Sequence, residues 1–363
     1  MKIVVFGLTI SSSWGNGHAT LWRGLCKALA PQHRIVFFER DVPYYAGARD
    51  FAEIPGGQLV LYPDWDTVAA AARAESSDAD VAIFTSYCPD AVVAADAVLD
   101  CGRPLKVFYD LDSPITLAAL SSGSAVPYIG PRGLADFDLV LSYTGGAALS
   151  ELQTRLGARS IAPLYGHVDP DLHRPTAALA HYRCDLSYLG TYSPDRQSAL
   201  EQLLLAPAQQ RKAQRFLIGG AQYPDDFPWS SNIYFVRHLP PSEHPAFFSS
   251  CRLTLNLTRA AMARMGWCPS GRLFEAAACG APILSDDWAG LDAFFTPGTE
   301  ILLARSPADV VAALDLEDAE LARIARAGRE RTLDQHTSRH RAEELIAALE
   351  QASATTAPQM VEA

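Results

Sequence analysis

Short, unbroken apolar runs alternate with helix-like segments along most of the chain. Such runs lack the alternation of a half-exposed strand and are typical of parallel strands that are covered on both faces. Seven of these runs occupy the first half of the chain, at residues 2–8, 33–40, 58–63, 79–87, 105–112, 138–144 and 160–165. Six more follow, at residues 184–192, 214–220, 232–239, 253–258, 281–286 and 300–305. The pattern predicts parallel strands joined by right-handed helical connections.

The two series are separated by residues 165–183, which are rich in Pro, His and Asp and weakly periodic. The predicted fold class is therefore α/β, with two Rossmann-like, doubly wound domains in tandem. Ligands bind such sheets at the carboxyl ends of the strands, so we expect the domains to face one cleft. The predicted segments are an N-terminal domain 1–168, a linker 169–183, a second domain 184–335, a C-terminal helix 336–352 and a disordered tail 353–363.

Composition narrows the possible functions. The chain has 363 residues, enough for two domains of about 150 residues each. Its 41 acidic and 30 basic residues give a formal charge of −11, which disfavours a nucleic-acid binder. No stretch has the pattern of a signal peptide or membrane span, so we expect a cytoplasmic protein, with peripheral membrane contact left open. The seven cysteines never form C-x-x-C and are expected to be reduced thiols, with no metal site.

A glycine-rich turn, SSSWGNGHAT (11–20), follows the first predicted strand. Gly15 and Gly17 would let the backbone approach a ligand closely, so we place Gly15, Asn16 and Gly17 on the acceptor or sugar side. Gly15-x-Gly17 also begins a dinucleotide fingerprint, with Glu39 near the usual position of the ribose acid. A threonine at the third glycine position and the length of the turn make a Rossmann oxidoreductase a minor alternative.

The most informative stretch is CPSGRLFEAAACGAPILSDDWAGLDAFFTPGTEILL (268–303). Ser270 suits a helix N-cap, which places Gly271 and Arg272 in the first turn. A helix N-terminus can bind a diphosphate without a metal ion, and Arg272 can add a bidentate contact. One turn on, Glu275 is placed to accept hydrogen bonds from a ribose diol. A lone helix glutamate is more often merely solvated, but the apolar neighbours favour a buried, partnered carboxylate here.

This stretch resembles the C-terminal signature of GT-B glycosyltransferases, especially the CgeB-like group with a glycosyl transferase family 1 domain. The signature is similar to S-x-R-x-F-E-x-x-A-x-G, then an apolar strand, then G-L and F-x-P-G-x-E. The matching residues are Ser270, Arg272, Phe274, Glu275, Ala278, Gly280, Gly290, Leu291, Phe295, Pro297, Gly298 and Glu300. Residues 166–175 are similar to the linker of that group, and residues 328–346 resemble its final helices. The resemblance covers mainly the C-terminal half and implies a GT-B fold whose C-terminal helices cross back.

The resemblance implies a glycosyltransferase that moves a sugar from a nucleoside-diphosphate sugar to an acceptor hydroxyl, with no metal ion or other cofactor. The acceptor, whether a glycan, a lipid-linked molecule or a small molecule, is left open. The ribose contact carries over to Glu275. Many retaining members carry another glutamate earlier in the motif, and that position is Trp267 here, so the retaining mechanism does not carry over.

The other donor-binding residues are predicted from their places after strands. Thr191 and Arg196 follow the first strand of the second domain and would wrap the phosphates, although a plain turn explains them equally well. Leu239 follows a strand where related folds contact the base. Gly290 and Leu291 would offer backbone N–H groups to the sugar or phosphate.

Transfer with inversion needs a base that deprotonates the acceptor hydroxyl. His18 ends the glycine-rich turn, and Asp110 and Asp112 follow the fifth strand. A helix-capping or packing role explains His18 about as well as a catalytic role does. A role in a turn or as a helix N-cap explains at least one of the two aspartates. We expect His18 or Asp112 to be the base, without separating them.

Two other functions fit the same predicted fold. A nucleotide-sugar epimerase would bind the same donor but need no acceptor. A non-catalytic surface or coat protein would keep the fold without activity, although the retained polar set of Glu275, Arg272 and the His/Asp residues argues against it.

Overall fold

The computed structural model describes residues 1–356, and the chain divides into two compact units. Unit 1 contains Met1–Tyr165 together with the chain from Ser338 onward. Unit 2 is Gly166–Thr337 and includes the whole segment expected as a linker. The final helix continues to Thr356, four residues beyond the expected end, and the rest of the expected tail lies outside the described residues.

Unit 1 is built on a parallel sheet of seven strands in the order β3-β2-β1-β4-β5-β6-β7. The strands are β1 (Lys2–Gly7), β2 (Arg34–Arg40), β3 (Gln58–Tyr62), β4 (Val81–Thr85), β5 (Leu105–Asp110), β6 (Leu139–Ser142) and β7 (Ile161–Pro163). Each lies within one of the seven predicted runs, which confirms them. The order reverses direction at β1 and β4, so the sheet is doubly wound.

The helices of unit 1 are α1 (His18–Leu29), α2 (Pro43–Ala46), α3 (Trp65–Ser77), α4 (Ala91–Leu99), α5 (Ser113–Ser121), α6 (Ala147–Leu156) and, from the end of the chain, α14 (Ser338–Thr356). α14 packs beside α1 and buries Ala342, Leu345, Leu349 and Ala352 in the core of unit 1. This spacing forms one apolar stripe on a helix, because 3.6 residues make a turn. The last helix thus returns to the first unit, as the resemblance implies.

Unit 2 holds a parallel sheet of six strands in the order β10-β9-β8-β11-β12-β13. Its strands are β8 (Leu186–Leu189), β9 (Phe216–Gly220), β10 (Ile233–Arg237), β11 (Thr254–Asn256), β12 (Ile283–Asp286) and β13 (Leu302–Ala304). Its helices are α7 (Gln197–Leu200), α8 (Ala206–Gln210), α9 (His244–Ser250), α10 (Ala260–Met265), α11 (Gly271–Ala278), α12 (Pro307–Leu314) and α13 (Asp318–Gln335). All six predicted strands are present, so the two-domain α/β prediction is confirmed.

Two findings bear on the wider expectations. Within residues 1–356, no helix combines the length and apolar character needed to cross a membrane. All seven cysteines are free thiols.

The loop after β1 is held by one buried carboxylate. Glu39, at the end of β2, is 0% exposed. It accepts hydrogen bonds from the Thr9 and Ser11 hydroxyls at 2.8 and 2.6 Å, and from the Ile10 and Ser11 backbone N–H groups at 2.7 and 2.9 Å. Both carboxylate oxygens accept hydrogen bonds from the loop after β1, so Glu39 does not fit the ribose-binding role that the oxidoreductase alternative requires.

We predict that Glu39→Gln destabilises the protein. The amide NH2 would face groups that can only donate, or donate preferentially, so at least one buried donor would lose its acceptor, at a cost of about 1–3 kcal/mol. Urea denaturation of the variant measures this loss. The exposed Glu53 provides a matched control, since Glu53→Gln should change the free energy of unfolding by less than about 0.5 kcal/mol. Equal stability of the two variants would contradict the anchoring role.

Candidate functional site

The N-terminus of α11 lies where the sequence predicts a phosphate-binding helix start. Ser270 occupies the N-cap position, but its hydroxyl makes no capping bond to the helix backbone. Its Oγ instead accepts a hydrogen bond from Arg272 Nε at 3.2 Å. The side chain expected to close the helix end therefore orients Arg272, and the helix dipole at Gly271 is not masked by a side-chain cap.

Arginine side chains collect beside the end of β8. Arg272 donates to the main-chain carbonyl of the last β8 residue, and Arg196 Nη1 donates to the Thr191 carbonyl at 3.0 Å. Burial lowers the pKa of Arg196, and the charges of Arg272 and Arg259 lower it further. Asp195 is the acidic residue beside these arginines, and its Oδ2 accepts a hydrogen bond from Arg259 Nε at 3.3 Å. The group therefore keeps a net positive charge, which favours a bound anion.

Two glycines make this approach of Arg272 possible. A Cβ atom on Gly190 would lie 2.5 Å from Arg272 Nη1, so a side chain here would displace the guanidinium. A Cβ on Gly220, whose φ is +157°, would lie 2.1 Å from the Gly190 carbonyl oxygen. Gly190 thus meets the arginine without a side chain, and Gly220 lets the end of β9 pack closely on the Gly190 backbone.

Glu275 follows Arg272 by one helical turn and lies next to two histidines. Its Oε2 is 3.8 Å from His244 Nδ1, and the side chains of both residues are mostly buried. His173, from the segment after β7, is the third member of the group. Burial alone would raise the pKa of Glu275, but the charges of His173, His244 and Arg272 outweigh it and hold this pKa at about 2. Glu275 is therefore an ionised carboxylate at neutral pH.

The other predicted donor residues differ in what they present. Leu239 is buried just after β10. Gly290 has a φ of +89°, and a Cβ there would lie 2.4 Å from the Trp267 indole, which covers it. Leu291 packs into the core, and its N–H donates to the Trp288 carbonyl at 3.3 Å. Gly290 is thus positioned against an exposed aromatic ring, whereas Leu291 has a packing role.

In unit 1, Tyr87 lies between the two candidate bases. The His18 and Tyr87 rings meet edge to face, with centroids 5.6 Å apart. Burial raises the pKa of Tyr87, and so do the charge of Asp112 and a hydrogen bond to it. His18 Nδ1 is buried and has no hydrogen-bond partner among the described residues, and burial lowers the His18 pKa to about 4. At neutral pH this imidazole is uncharged and able to accept a proton.

Asp110, the last residue of β5, and Asp112, two residues on, have different environments. Asp110 is fully buried, and its Oδ1 accepts the Asp112 N–H at 3.1 Å. Burial raises the pKa of Asp110, against hydrogen bonds that lower it. Asp112 occupies the N-cap position of α5 without capping it through its side chain. Asp110 therefore organises the turn, and Asp112 is the aspartate that reaches Tyr87.

The glycine-rich turn is locally self-supporting. Asn16 Oδ1 accepts the Ala19 N–H at 3.1 Å and so caps the start of α1. The Asn16 amide also donates to the Trp14 carbonyl at 3.1 Å. Gly15 has a φ of +67°, which a side chain would strain, whereas a Cβ on Gly17 would meet no atom within 4 Å. Asn16 thus shapes the turn, and the exposed backbone of Gly15 and Gly17 remains accessible.

Sequence reasoning missed Tyr87, His173, His244 and Arg259. Tyr87 ends a predicted strand run and Arg259 follows another, which is the one local signal that they carried. The histidines lie in Pro-rich segments that look like ordinary polar loops. Their approach to Glu275 depends on the packing of α9 and of the chain near His173, which no local pattern records.

Comparison with known proteins gives a family match that covers most of unit 2 and the first part of α14. Residues 196–347 match a family described as glycosyl transferase-like, which covers the site around Arg272 and Glu275. No curated protein matches the chain in sequence. The CgeB-like assignment stays a prediction.

The whole fold is similar to solved glycosyltransferase structures. Sucrose-phosphate synthase from Thermosynechococcus elongatus has a TM-score of 0.71 at 14% identity, covering 98% of this chain and 100% of that one. Anabaena HepE in complex with UDP and glucose has a TM-score of 0.69 at 15% identity, covering 97% and 100%. An alpha-glucosyltransferase in complex with UDP-glucose and DNA has a TM-score of 0.69 at 12% identity, covering 96% and 99%. The chain thus has the two-domain GT-B fold, and the domain match together with this fold supports a glycosyltransferase enzyme.

Proposed function

We propose that this protein transfers a sugar from a uridine-diphosphate sugar to an acceptor hydroxyl. The carrying observation is a net positive group of arginines beside an ionised, mostly buried Glu275, with Arg272 and Glu275 one turn apart on α11. A nucleoside diphosphate presents the complementary chemistry, because it joins an anionic diphosphate to a ribose diol. Support for uridine comes from the similar structures, which were solved with UDP and with UDP-glucose.

The donor is held by three kinds of contact in this proposal. Arg272 and Arg196, with the backbone at Gly271 and Thr191, receive the diphosphate. Glu275 accepts hydrogen bonds from the ribose hydroxyls, and a charged acceptor makes such bonds roughly twice as strong as neutral ones. The buried turn at Leu239 lies at the strand end assigned to the base.

The transfer step exchanges one bond at the sugar C1 for another. The acceptor oxygen bonds to C1, the bond between C1 and the diphosphate oxygen breaks, and UDP leaves with that electron pair. His18 takes the hydroxyl proton, for which its neutral imidazole is suited. Asp112 and Tyr87 position this end of unit 1. The arginines and the helix N-terminus stabilise the charge on the leaving diphosphate, so the transfer is proposed to need no metal ion.

We predict that UDP stabilises the wild-type protein against thermal unfolding. Ligand at a hundred times its dissociation constant adds about 2.7 kcal/mol to the free energy of unfolding. Glu275→Gln should lower the affinity for UDP about 10- to 100-fold, since a hydrogen bond to a charged group contributes about 1.5–3 kcal/mol. Glu317→Gln, an exposed change in the same unit, is the matched control.

Removal of one ribose hydroxyl tests the assigned contact directly. Wild type should prefer UDP over 2′-deoxy-UDP, and Glu275→Gln should lose most of that preference. An undiminished preference in the variant would refute the ribose contact. Stabilisation by NAD, with none by UDP, would refute the proposed function itself.

We predict that His18→Gln lowers kcat for UDP release from UDP-glucose, with water as acceptor, by about 10²- to 10⁴-fold, the usual contribution of a general base. The binding of UDP should not change. Wild-type turnover should fall as the pH drops through about 4, because a protonated imidazole cannot accept a proton.

Two further variants separate the candidate bases. Tyr87→Phe keeps the ring beside His18 but removes the hydroxyl that bonds Asp112. If His18 is the base, this variant and Asp112→Asn should retain most of kcat. A large loss in both, with His18→Gln unaffected, would assign the base to Asp112 instead.

We predict that EDTA leaves the same turnover unchanged and that added Mg²⁺ does not raise it. Arg196→Ala should instead raise KM for UDP-glucose, because a cation beside the diphosphate is lost. Lys212→Ala, a change in the same unit at an exposed site, is the control for general charge effects. Loss of turnover in EDTA with recovery in Mg²⁺ would contradict a metal-independent transfer.

A further inference from the structure

The histidines around Glu275 are an unusual feature of the proposed ribose site. His173 is 4% exposed, yet neither of its ring nitrogens has a hydrogen-bond partner among the described residues. Buried polar atoms are normally paired, so such an orphaned group calls for an explanation. Both nitrogens belong to a side chain that lies against His244 and Glu275.

The ligand atoms of these side chains converge on one point. One atom each from His173, His244 and Glu275 lie within 4.8 Å of one another, and His244 Nδ1 is 3.8 Å from Glu275 Oε2. A tetrahedral ion with bonds near 2.0–2.1 Å holds its ligand atoms about 3.4 Å apart. Each pair must therefore close by at most about 1.4 Å, which side-chain rotation can supply.

We propose that His173, His244 and Glu275 form a binding site for a divalent transition-metal ion, with Zn²⁺ as the best-fitting ion. Imidazole nitrogen suits Zn²⁺ and its neighbours in the transition series, whereas Mg²⁺ and Ca²⁺ prefer sites made of oxygen atoms. Three protein ligands leave a fourth tetrahedral position for water.

The residues around the site fit this set of ligands. The His173 backbone N–H donates to the Asp169 carbonyl at 2.9 Å, which fixes the chain next to the imidazole. Cys279 is not among the residues whose ligand atoms lie within 4.8 Å of one another, so its thiol is not part of this set.

The consequence for catalysis rests on the proposed function. Glu275 cannot ligate a metal ion and accept the ribose hydroxyls with the same oxygens. A Zn²⁺ ion on Glu275 takes up acceptor positions that the ribose hydroxyls would use. In this proposal the ion therefore competes with the donor and inhibits a transfer reaction that needs no metal.

Direct metal binding is the first test. Isothermal titration of the nucleotide-free full chain with Zn²⁺ should show one ion per chain, and Co²⁺ should give the visible absorption of a tetrahedral site. His173→Ala and His244→Ala should abolish this binding while they keep the circular dichroism of wild type. His181→Ala, an exposed histidine, and Cys279→Ser should bind as wild type does. No saturable binding, or binding that survives both histidine changes, would overturn the site.

Competition is the second test, with uridine as the probe because it keeps the ribose but has no phosphate to chelate zinc. Zinc at ten times its dissociation constant should raise the apparent Kd of wild type for uridine about elevenfold by mass action. His173→Ala should bind uridine without this effect. Zinc binding with unchanged uridine affinity would overturn the competition. Failure of the proposed function is distinguishable, because it would appear as no uridine or UDP binding without any metal.

Discussion

The contact between Arg272 and the end of β8 fixes the geometry of unit 2. The guanidinium reaches from the first turn of α11 to the last carbonyl of the strand, over a glycine that leaves room for it. This bond orients the helix that carries Glu275 and also anchors the cluster of arginines. A larger residue at Gly190 or a shorter one at 272 would separate the positive charge from the carboxylate, the two groups that the proposed donor contacts together.

In unit 1 the geometry at the end of the first strand depends on the hydrogen bonds that Glu39 accepts from the loop after β1. Its first loop is polar and buried at its base, so its N–H and hydroxyl groups need acceptors, and Glu39 supplies them. With the base of the loop fixed, the exposed part is free to carry glycines and to start α1 at His18. The imidazole then packs against Tyr87, and low solvation keeps it neutral. Ser11 contributes its backbone N–H and its hydroxyl to Glu39, and so supports the base of the loop.

The features that could be predicted from the sequence are those set by neighbouring residues, whereas contacts between distant parts of the chain could not be predicted. All thirteen strands could be predicted, because a parallel strand that is buried on both faces consists of a continuous run of apolar residues. The start of α11 at Gly271 and the partnered state of Glu275 followed from local pattern as well. The residues that lie beside Glu275 could not be predicted in this way, since His173 and His244 are far from it in the chain. Ser270 marked the correct position but makes a different bond, because Arg272 offers its hydroxyl a donor.

Glu275 is an ionised and mostly buried carboxylate, and this combination defines what it can bind. A buried charge must be compensated, because its desolvation costs several kcal/mol. The compensation here comes from His173, His244 and Arg272, and His244 Nδ1 lies 3.8 Å from Glu275 Oε2. The carboxylate oxygens therefore stay charged and can accept short bonds from an incoming group. In the proposed roles, a ribose diol would satisfy them as a pair of donors and a metal ion would satisfy them as a cation, so the two would compete for one carboxylate.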